Sequence, residues 1–247
     1  MSLSFVAFVS CEDKEDSSSE SRTGIENGHE YVDLGLPSGT LWATCDVGAT
    51  KPEEFGNYYS WGEVEPKDNC EWSTYKYGRE NQLTKYCFDS EYGKDGFTDN
   101  KTTLDLEDDA AYMNWGGNWR MPTHKQQLEL SLKCYWLWTD NYNGSNAKGF
   151  IVYKAKTASD ALLPVNGTPS SSYSLSDAHI FLPVKARSYD YSGHYWSSSL
   201  DGTANPHPNK AFALRLECSD NGIGSSVTIC LERYEAIRVR AVIPGNK

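Results

Sequence analysis

The sequence lacks several features that mark common functional classes. It has no excess of basic residues, because 23 Lys and Arg stand against 34 Asp and Glu and give a formal net charge of −11. A nucleic-acid-binding protein needs a basic face to neutralise phosphates, so this balance argues against nucleic acid as a partner. No apolar run approaches the roughly 18 residues of a membrane-spanning helix. There is also no CxxC pair and no Cys/His cluster, so the sequence predicts no zinc site.

The 247 residues nevertheless have the composition of a folded protein. Hydrophobic residues make up 38% of the chain and aromatic residues 13%, enough to build a core. A disordered or low-complexity chain would lack these aromatic residues. The acidity is concentrated in residues 1–109, whereas residues 110–247 carry 14 basic and 10 acidic side chains. The overall charge therefore says little about a binding face built from the C-terminal half, and an acidic ligand stays permissible.

Residues 1–30 predict a lipoprotein signal followed by an acidic, Ser-rich tether. Residues 8–11, Phe-Val-Ser-Cys, resemble a lipobox, in which a small residue precedes a cysteine that becomes lipidated. The charged stretch that follows resembles the export signal of surface lipoproteins of Bacteroidetes. We predict lipidation at Cys11, an outer-membrane location at the cell surface, and contact with the membrane only through the lipid anchor. The alternative is a disordered terminus with an incidental cysteine.

Residues 31–247 are predicted to form a single α+β domain, since a few short helices precede many strands. Thr50–Glu53 and Thr123–Gln126 fit capping boxes, in which the first side chain and the fourth satisfy each other's backbone N–H groups. A third helix is predicted over Asp105–Trp115, whose acidic first turn favours a helix N-terminus. The residue spacing predicts that the helix after Thr123 packs Leu128, Leu132 and Tyr135 on one face.

Strand-like runs surround these helices. A Pro-Ser-Gly turn at residues 37–39 predicts a pair of strands on its two sides. Later strands are expected at Gly149–Lys154, His179–Val184, His194–Leu200, Lys210–Glu217, Val227–Glu232 and Ile237–Ile243. Residues 60–103 show little periodicity, and so long a loop is usually functional or held by its own packing.

Beyond Cys11 the chain has an even number of cysteines: Cys45, Cys70, Cys87, Cys134, Cys218 and Cys230. In an exported protein this number suggests disulfides, although six cysteines allow fifteen connectivities. Cys218 and Cys230 flank a turn and are candidates for a hairpin bridge. The alternation of apolar residues places these two cysteines on opposite faces, which argues against the bridge unless a bulge shifts the register.

Several motifs together resemble the Fibrobacter succinogenes major paralogous domain family. They are Tyr31-Val-Asp-Leu-Gly-Leu-Pro-Ser-Gly-Thr-Leu-Trp-Ala-Thr-Cys45, Tyr59-Ser-Trp-Gly-Glu63, Asp108-Asp-Ala-Ala111, Asn114-Trp-Gly-Gly-Asn-Trp-Arg-Met-Pro-Thr123, Ile180-Phe-Leu-Pro183 and Tyr195-Trp-Ser-Ser-Ser199. The family is similar to the C-terminal domain of a collagen-like adhesin. The resemblance implies a C-type-lectin-like fold, with two or three short helices and mostly antiparallel short strands, in an exported surface protein of Bacteroidetes. One departure lies at the end, where the family's Gly and Pro around the last strand are missing.

The segments flanking Tyr195–Ser199 are the predicted ligand-binding site. They are rich in Tyr, Asn, Asp, Ser and His, which supply rigid aromatic contact area beside adaptable hydrogen bonds. Sugars are bound by similar means, with ring faces on aromatic residues and hydroxyls on polar ones. The corresponding loops form the usual ligand surface in C-type-lectin folds. The candidate residues are Tyr189, Asp190, Tyr191, His194, Asp201, Asn205, His207 and Asn209.

These observations favour a lipid-anchored binding protein, adhesin-like, for a glycan or another macromolecule of a host or bacterial surface. One alternative is a structural or accessory subunit of a surface or pilus assembly. Another is a variable protein diversified by a retroelement. The least favoured hypothesis is an oxidoreductase like the formylglycine-generating enzymes, to which the implied fold is related. We expect no catalytic residues, no metal site and no cofactor, because no histidine has a catalytic partner at a recognisable spacing.

Calcium is the one metal that needs separate consideration. Asp99, Asn100, Asp105, Asp108 and Asp109 offer the hard oxygen ligands that Ca²⁺ prefers. The sequence has no EF-hand loop, and a solvated helix N-terminus explains the same acidic residues.

Overall fold

The computed structural model describes residues 23–162, 172–186, 190–201, 207–219 and 224–245. Thirteen strands occur in this part of the chain. In chain order they are β1 (Thr23–Glu26), β2 (His29–Asp33), β3 (Leu41–Asp46), β4 (Gly78–Arg79), β5 (Gln82–Leu83), β6 (Cys134–Tyr142), β7 (Ala147–Lys154), β8 (His179–Pro183), β9 (Lys185–Ala186), β10 (Asp190–Leu200), β11 (Lys210–Ser219), β12 (Gly224–Glu232) and β13 (Arg240–Ile243).

The strands form three main sheets and one small hairpin. Their orders are β1-β2-β3-β13, β12-β11-β10-β9, β6-β7-β8 and β4-β5. Every ladder between these strands is antiparallel. Two α-helices accompany them in the described part, α1 (Ala110–Trp115) and α2 (His124–Lys133). The predicted α+β class is confirmed. None of the described helices is long and apolar enough to cross a membrane.

The folded chain begins earlier than residue 31, where the sequence predicted the boundary between tether and domain. β1 pairs with β2 from Thr23↔Val32 to Glu26↔His29. The two residues between the strands, Asn27 and Gly28, have φ angles of +48° and +85°. A two-residue turn with both φ angles positive matches the twist of an antiparallel pair. The Asn-Gly turn therefore places residues 23–30, the last eight residues of the predicted tether, in the folded domain.

The helix predicted after Thr123 is confirmed, the helix predicted over Asp105–Trp115 begins only at Ala110 after a separate 3-10 turn at Leu106–Asp108, and the helix predicted after Thr50 is wrong. Thr123 caps α2 in a complete capping box with Gln126. Asp109 caps α1 by accepting hydrogen bonds from the backbone N–H groups of Ala111 and Tyr112 at 2.9 and 3.0 Å. After Thr50 the chain forms turns instead of a helix. Glu54, not the predicted Glu53, accepts the Thr50 backbone N–H at 2.9 Å, and so it closes a local loop.

The buried face of α2 differs from the predicted one. Leu128 and Leu132 are 41% and 54% exposed, whereas Gln127 and Leu130 are buried. Gln127 donates from Nε2 to the Tyr195 carbonyl at 2.9 Å, so a polar residue takes a core position. Because this hydrogen bond is made to a distant strand, the apolar spacing of the helix could not reveal it.

β10 runs through the centre of the molecule and is covered on both faces. Trp196 is fully buried in one apolar cluster that also contains Trp61 and Trp119. Tyr195, the preceding residue, lies in a second cluster with Trp42 and Phe150. Successive side chains of a strand point to opposite faces. The prediction that Trp196 anchors the core is therefore confirmed, and β10 joins the two parts of the core.

The six cysteines between residues 45 and 230 are all free thiols, so the disulfide prediction is wrong for this structure. In the β11–β12 ladder Cys218 lies opposite Gly224, and Cys230 lies opposite Phe212. The cysteines are thus six ladder positions apart, about 20 Å at roughly 3.4 Å per residue. They share one face of the sheet, because both positions have the parity of Phe212. The bridge is absent because of this separation, and the predicted opposition of faces is wrong.

Residues 60–103 are held in place by a buried arginine from the C-terminal part of the chain. Arg233 is fully buried and donates to the carbonyls of Lys85 and Tyr86, each at 3.1 Å. Its Nε donates to the Tyr75 hydroxyl at 2.9 Å, and its guanidinium lies 4.9 Å from the centre of the Trp61 ring. Carbonyl oxygens and aromatic faces thus balance a buried charge. This contact is therefore one of those that hold the aperiodic segment in place.

Candidate functional site

The first half of β10 carries polar residues beside the core, of which Ser192 is buried and His194 is half-buried. On the face shared with Trp196, Ser192 and His194 precede the tryptophan by four and two residues. Across the ladder these two residues lie opposite Glu217 and Arg215. Arg215 Nε and Glu217 Oε1 are 3.4 Å apart, and both side chains are partly exposed. This end of the sheet is therefore a polar surface bordering a hydrophobic core.

A cleft of about 260 Å³ opens over Ser192 and His194, and we name it the His194 cleft. Its walls include Tyr58, Lys185 and Glu235, which come from three separate parts of the chain. It thus combines a hydroxyl, an imidazole, a phenol, an ammonium group and a carboxylate. A concave site with a few convergent polar groups is the usual form of a small-ligand site.

The carboxylate in this cleft is in an unusual environment. Burial raises the pKa of Glu235, and a hydrogen bond from the Glu232 backbone opposes that shift. No Lys or Arg of the described residues forms an ion pair with it. A partly buried carboxylate that pairs with none of the described cations keeps part of its acceptor capacity for a ligand that carries hydroxyl or N–H donors.

Gly193 and Arg238 lie close together at the floor of the cleft. A Cβ atom on Gly193 would lie 2.6 Å from the Arg238 guanidinium, so only glycine allows this approach. Arg238 is buried, stacks 4.4 Å from the centre of the Tyr195 ring, and lies 3.3 Å from the Asp46 carboxylate. The guanidinium of Arg238, which pairs with Asp46, therefore packs against the backbone of Gly193 between Ser192 and His194.

A second depression adjoins the cleft on the other side of β9, and we name it the Tyr191 groove. Its cavity volume is about 420 Å³, and Phe55, Lys148 and Tyr191 contribute to its walls. The Lys148 ammonium donates to the Tyr191 hydroxyl at 2.8 Å and lies 4.7 Å from the centre of its ring. Phe55 is 44% exposed. Lys185 and Ala186 of β9 line both depressions, so the groove and the cleft adjoin at this strand.

The structure separates the predicted site residues. Tyr191 and His194 lie at the start of β10 and belong to the groove and the cleft. Asp190 begins the strand, but its side chain lies outside the described residues, as do Tyr189 and Asn205. Tyr191 and Asp201 are ten residues apart along an extended chain, which corresponds to about 30 Å.

The predicted residues at the far end of β10 make internal contacts. Asp201 is buried and accepts a hydrogen bond from the Cys230 thiol. His207 Nδ1 and the Tyr92 hydroxyl are 2.9 Å apart, and Asn209 is buried beside the backbone of Arg233. The five predicted residues whose side chains the structure describes therefore do not form a single surface, because the two ends of β10 lie far apart. Among these five, Tyr191 and His194 combine partial exposure with a cavity.

The sequence did not single out Tyr58, Phe55, Lys148 or Glu235, although all four line this surface. They come from segments far from β10 in the chain, and no local pattern links them to it. An exposed aromatic residue in a loop is the one signal that could have drawn attention to Phe55 and Tyr58.

The acidic cluster considered for calcium surrounds a lysine. Carboxylate oxygens of Asp105, Glu107 and Asp108 lie within 4.8 Å of one another. Lys85 Nζ is 3.0 Å from Asp105, 3.0 Å from Glu107 and 2.6 Å from Asp108. The ammonium group takes the position that a cation would occupy, so this cluster is accounted for by an internal charge network.

No protein-family model matches the chain, and neither a curated protein nor a solved structure was found that is similar to it. The family resemblance and the C-type-lectin-like fold therefore stay predictions from the sequence motifs.

Proposed function

We propose that this chain is an exported, lipid-anchored surface protein that binds a glycan through the His194 cleft and the Tyr191 groove. The observation that carries the proposal is the joining of two polar cavities across Lys185, with aromatic side chains at both. We further propose that the domain is C-type-lectin-like. The antiparallel α+β architecture and the motifs around Tyr195–Ser199 support that assignment.

The chemistry of the surface suits a ligand with many hydroxyl groups. The carboxylate of Glu235 and the hydroxyl of Ser192 supply hydrogen-bond acceptors, and Lys148 and Lys185 supply donors. Tyr58 is 37% exposed and offers an apolar ring face with a polar edge. Binding through such groups requires no metal ion, so we expect it to persist in a chelating buffer.

Binding to glycan and glycoprotein arrays tests the site. We expect His194→Ala and Tyr191→Ala each to weaken binding of the full-length protein at least tenfold, because each removes a wall of its cavity. His207→Ala is the matched control, since this histidine contacts Tyr92 at the far end of β10. A loss of binding in the control alone would place the site elsewhere, and unchanged binding in both test variants would overturn the proposal.

The anchor is tested separately from the ligand site. Cys11 lies outside the described residues, and its lipidation rests on the residues around it. We expect the wild-type protein to partition into the detergent phase of Triton X-114 extracts and Cys11→Ser to move to the aqueous phase, because the lipid is the proposed membrane contact. Equal partitioning of the two proteins would contradict the anchor and leave the ligand site untouched.

A further inference from the structure

β12 is a long edge strand. It ends the sheet order β12-β11-β10-β9, so among the described residues its outer side pairs with no strand. Its nine residues pair with β11 without a register shift, from Lys210↔Glu232 to Cys218↔Gly224. An edge strand presents a row of backbone groups that can pair with another chain.

The direction of these backbone groups follows from the ladder. The Trp196 N–H donates to the Arg238 carbonyl and so points away from β11. Its partner Ala213 must therefore turn its own backbone groups toward β12, where it pairs with Ile229. Because the direction of the backbone N–H and C=O groups alternates along a strand, these groups of Ser226, Thr228 and Cys230 point away from β11. Their N–H groups donate to no residue that the structure describes.

The sequence of β12 carries none of the usual devices against pairing, and α2 contacts the strand on the face of the sheet that carries Phe212. The strand contains no Pro, no Lys and no bulge, and its one charged residue, Glu232, is at its end. The other nine-residue edge is different, since β6 carries Asp140 and a register shift between Thr139 and Tyr142. Charges and bulges are the devices that keep edge strands from pairing. β12 is thus a long edge whose own residues do not block pairing and whose outer side pairs with no described strand.

We propose that β12 pairs antiparallel with β12 of a second copy of this chain, about a twofold axis at Thr228. This register joins Ser226 to Cys230 of the copy, so outward-pointing residues meet and their hydrogen bonds are made. Glu232 falls opposite Gly224, so no like charges face each other. Val227, which is 38% exposed, falls opposite Ile229 and forms a β-branched cross-strand pair. The symmetric pairing makes a closed dimer with an eight-stranded sheet.

Analytical ultracentrifugation of the full-length protein tests this dimer. We expect a concentration-dependent dimer that Thr228→Pro weakens at least tenfold, because proline removes an outward N–H at the axis and an edge position tolerates that loss. Thr228→Val keeps the N–H and is the matched control, with dimerisation unchanged. Val227→Lys, at an exposed position, is a second test that avoids proline and is also expected to weaken the dimer at least tenfold.

Amide hydrogen exchange gives a readout that does not depend on variants. We expect the amides of Ser226, Thr228 and Cys230 to exchange at least tenfold more slowly at concentrations where the dimer forms. A monomer at all concentrations up to about 200 μM, with unchanged exchange at these amides, would overturn the proposal. A dimer that both Thr228→Pro and Val227→Lys leave intact would overturn it as well. The proposal does not depend on the glycan site, because β12 and the two cavities are tested by different residues.

Discussion

Replacing Asp46 by Asn is expected to lower the free energy of unfolding by about 3–5 kcal/mol. Asp46 is fully buried and is the carboxylate partner of two buried arginines. Arg240 approaches its Oδ1 at 2.7 Å, and Arg238 lies 3.3 Å from its Oδ2. Without the carboxylate, two positive charges remain in the core with no counter-ion. Urea denaturation followed by tryptophan fluorescence measures the change.

Glu217→Gln is the matched control for this prediction. It also removes the carboxylate of an arginine ion pair, but Arg215 and Glu217 are each 37% exposed. An exposed pair contributes about 0–1 kcal/mol, because water already solvates both charges. If Asp46→Asn costs no more than Glu217→Gln, the buried arginines are compensated by something other than Asp46.

Asp108→Asn is expected to destabilise the protein by about 2–4 kcal/mol at neutral pH. The carboxylate is buried and accepts hydrogen bonds from the hydroxyls of Tyr77 and Tyr86 and from the ammonium groups of Lys76 and Lys85. These donors tie the segment of residues 60–103 to the start of α1. Glu107→Gln, which removes a 74% exposed partner of the same Lys85, is expected to cost under about 1 kcal/mol.

The same carboxylate predicts a pH dependence. Burial alone would raise the pKa of Asp108, but hydrogen bonds from Lys85, Tyr77 and Tyr86 lower it to about 2. A carboxyl group whose pKa is lowered by folding stabilises the protein above its unfolded pKa of about 4. That contribution is lost as the pH falls through the folded pKa. The stability difference between wild type and Asp108→Asn should therefore shrink between pH 4 and pH 2. A difference that stays constant over this range would contradict the network.

The secondary structure was predictable where a local signal fixes it. The capping box at Thr123 and the alternation along β10 and β11 each determine their element within a few residues. β6 was missed because it follows α2 with no Gly or Pro between them, and because Cys134–Leu137 is apolar without alternation. The buried face of α2 was missed because Gln127 is held by a hydrogen bond to a distant strand.

The candidate site was predictable only in part. Tyr191 and His194 were found from the composition of the segment that contains them. Glu235 and Tyr58 reach the same cleft from positions about 40 and 130 residues away in the chain, so their proximity depends on the tertiary fold. Asp201 and His207 matched the same composition, yet they lie at the opposite end of a long strand and contact other residues of the fold. The composition of these segments indicated polar and aromatic candidates, but the length of β10 determines which of them lie close together.

The position of β13 has a consequence for when this protein can fold. β3 near the start of the chain pairs with β13 at its end, and Asp46 meets Arg240 across 194 residues of sequence. Contacts between such distant residues form slowly, because a long loop must close before they stabilise anything. The sheet that contains β3 cannot be completed until the residues about 194 positions beyond Asp46 have been synthesised. For a protein that we propose to be exported, this sheet would stay incomplete while the residues before β13 pass through a translocation channel.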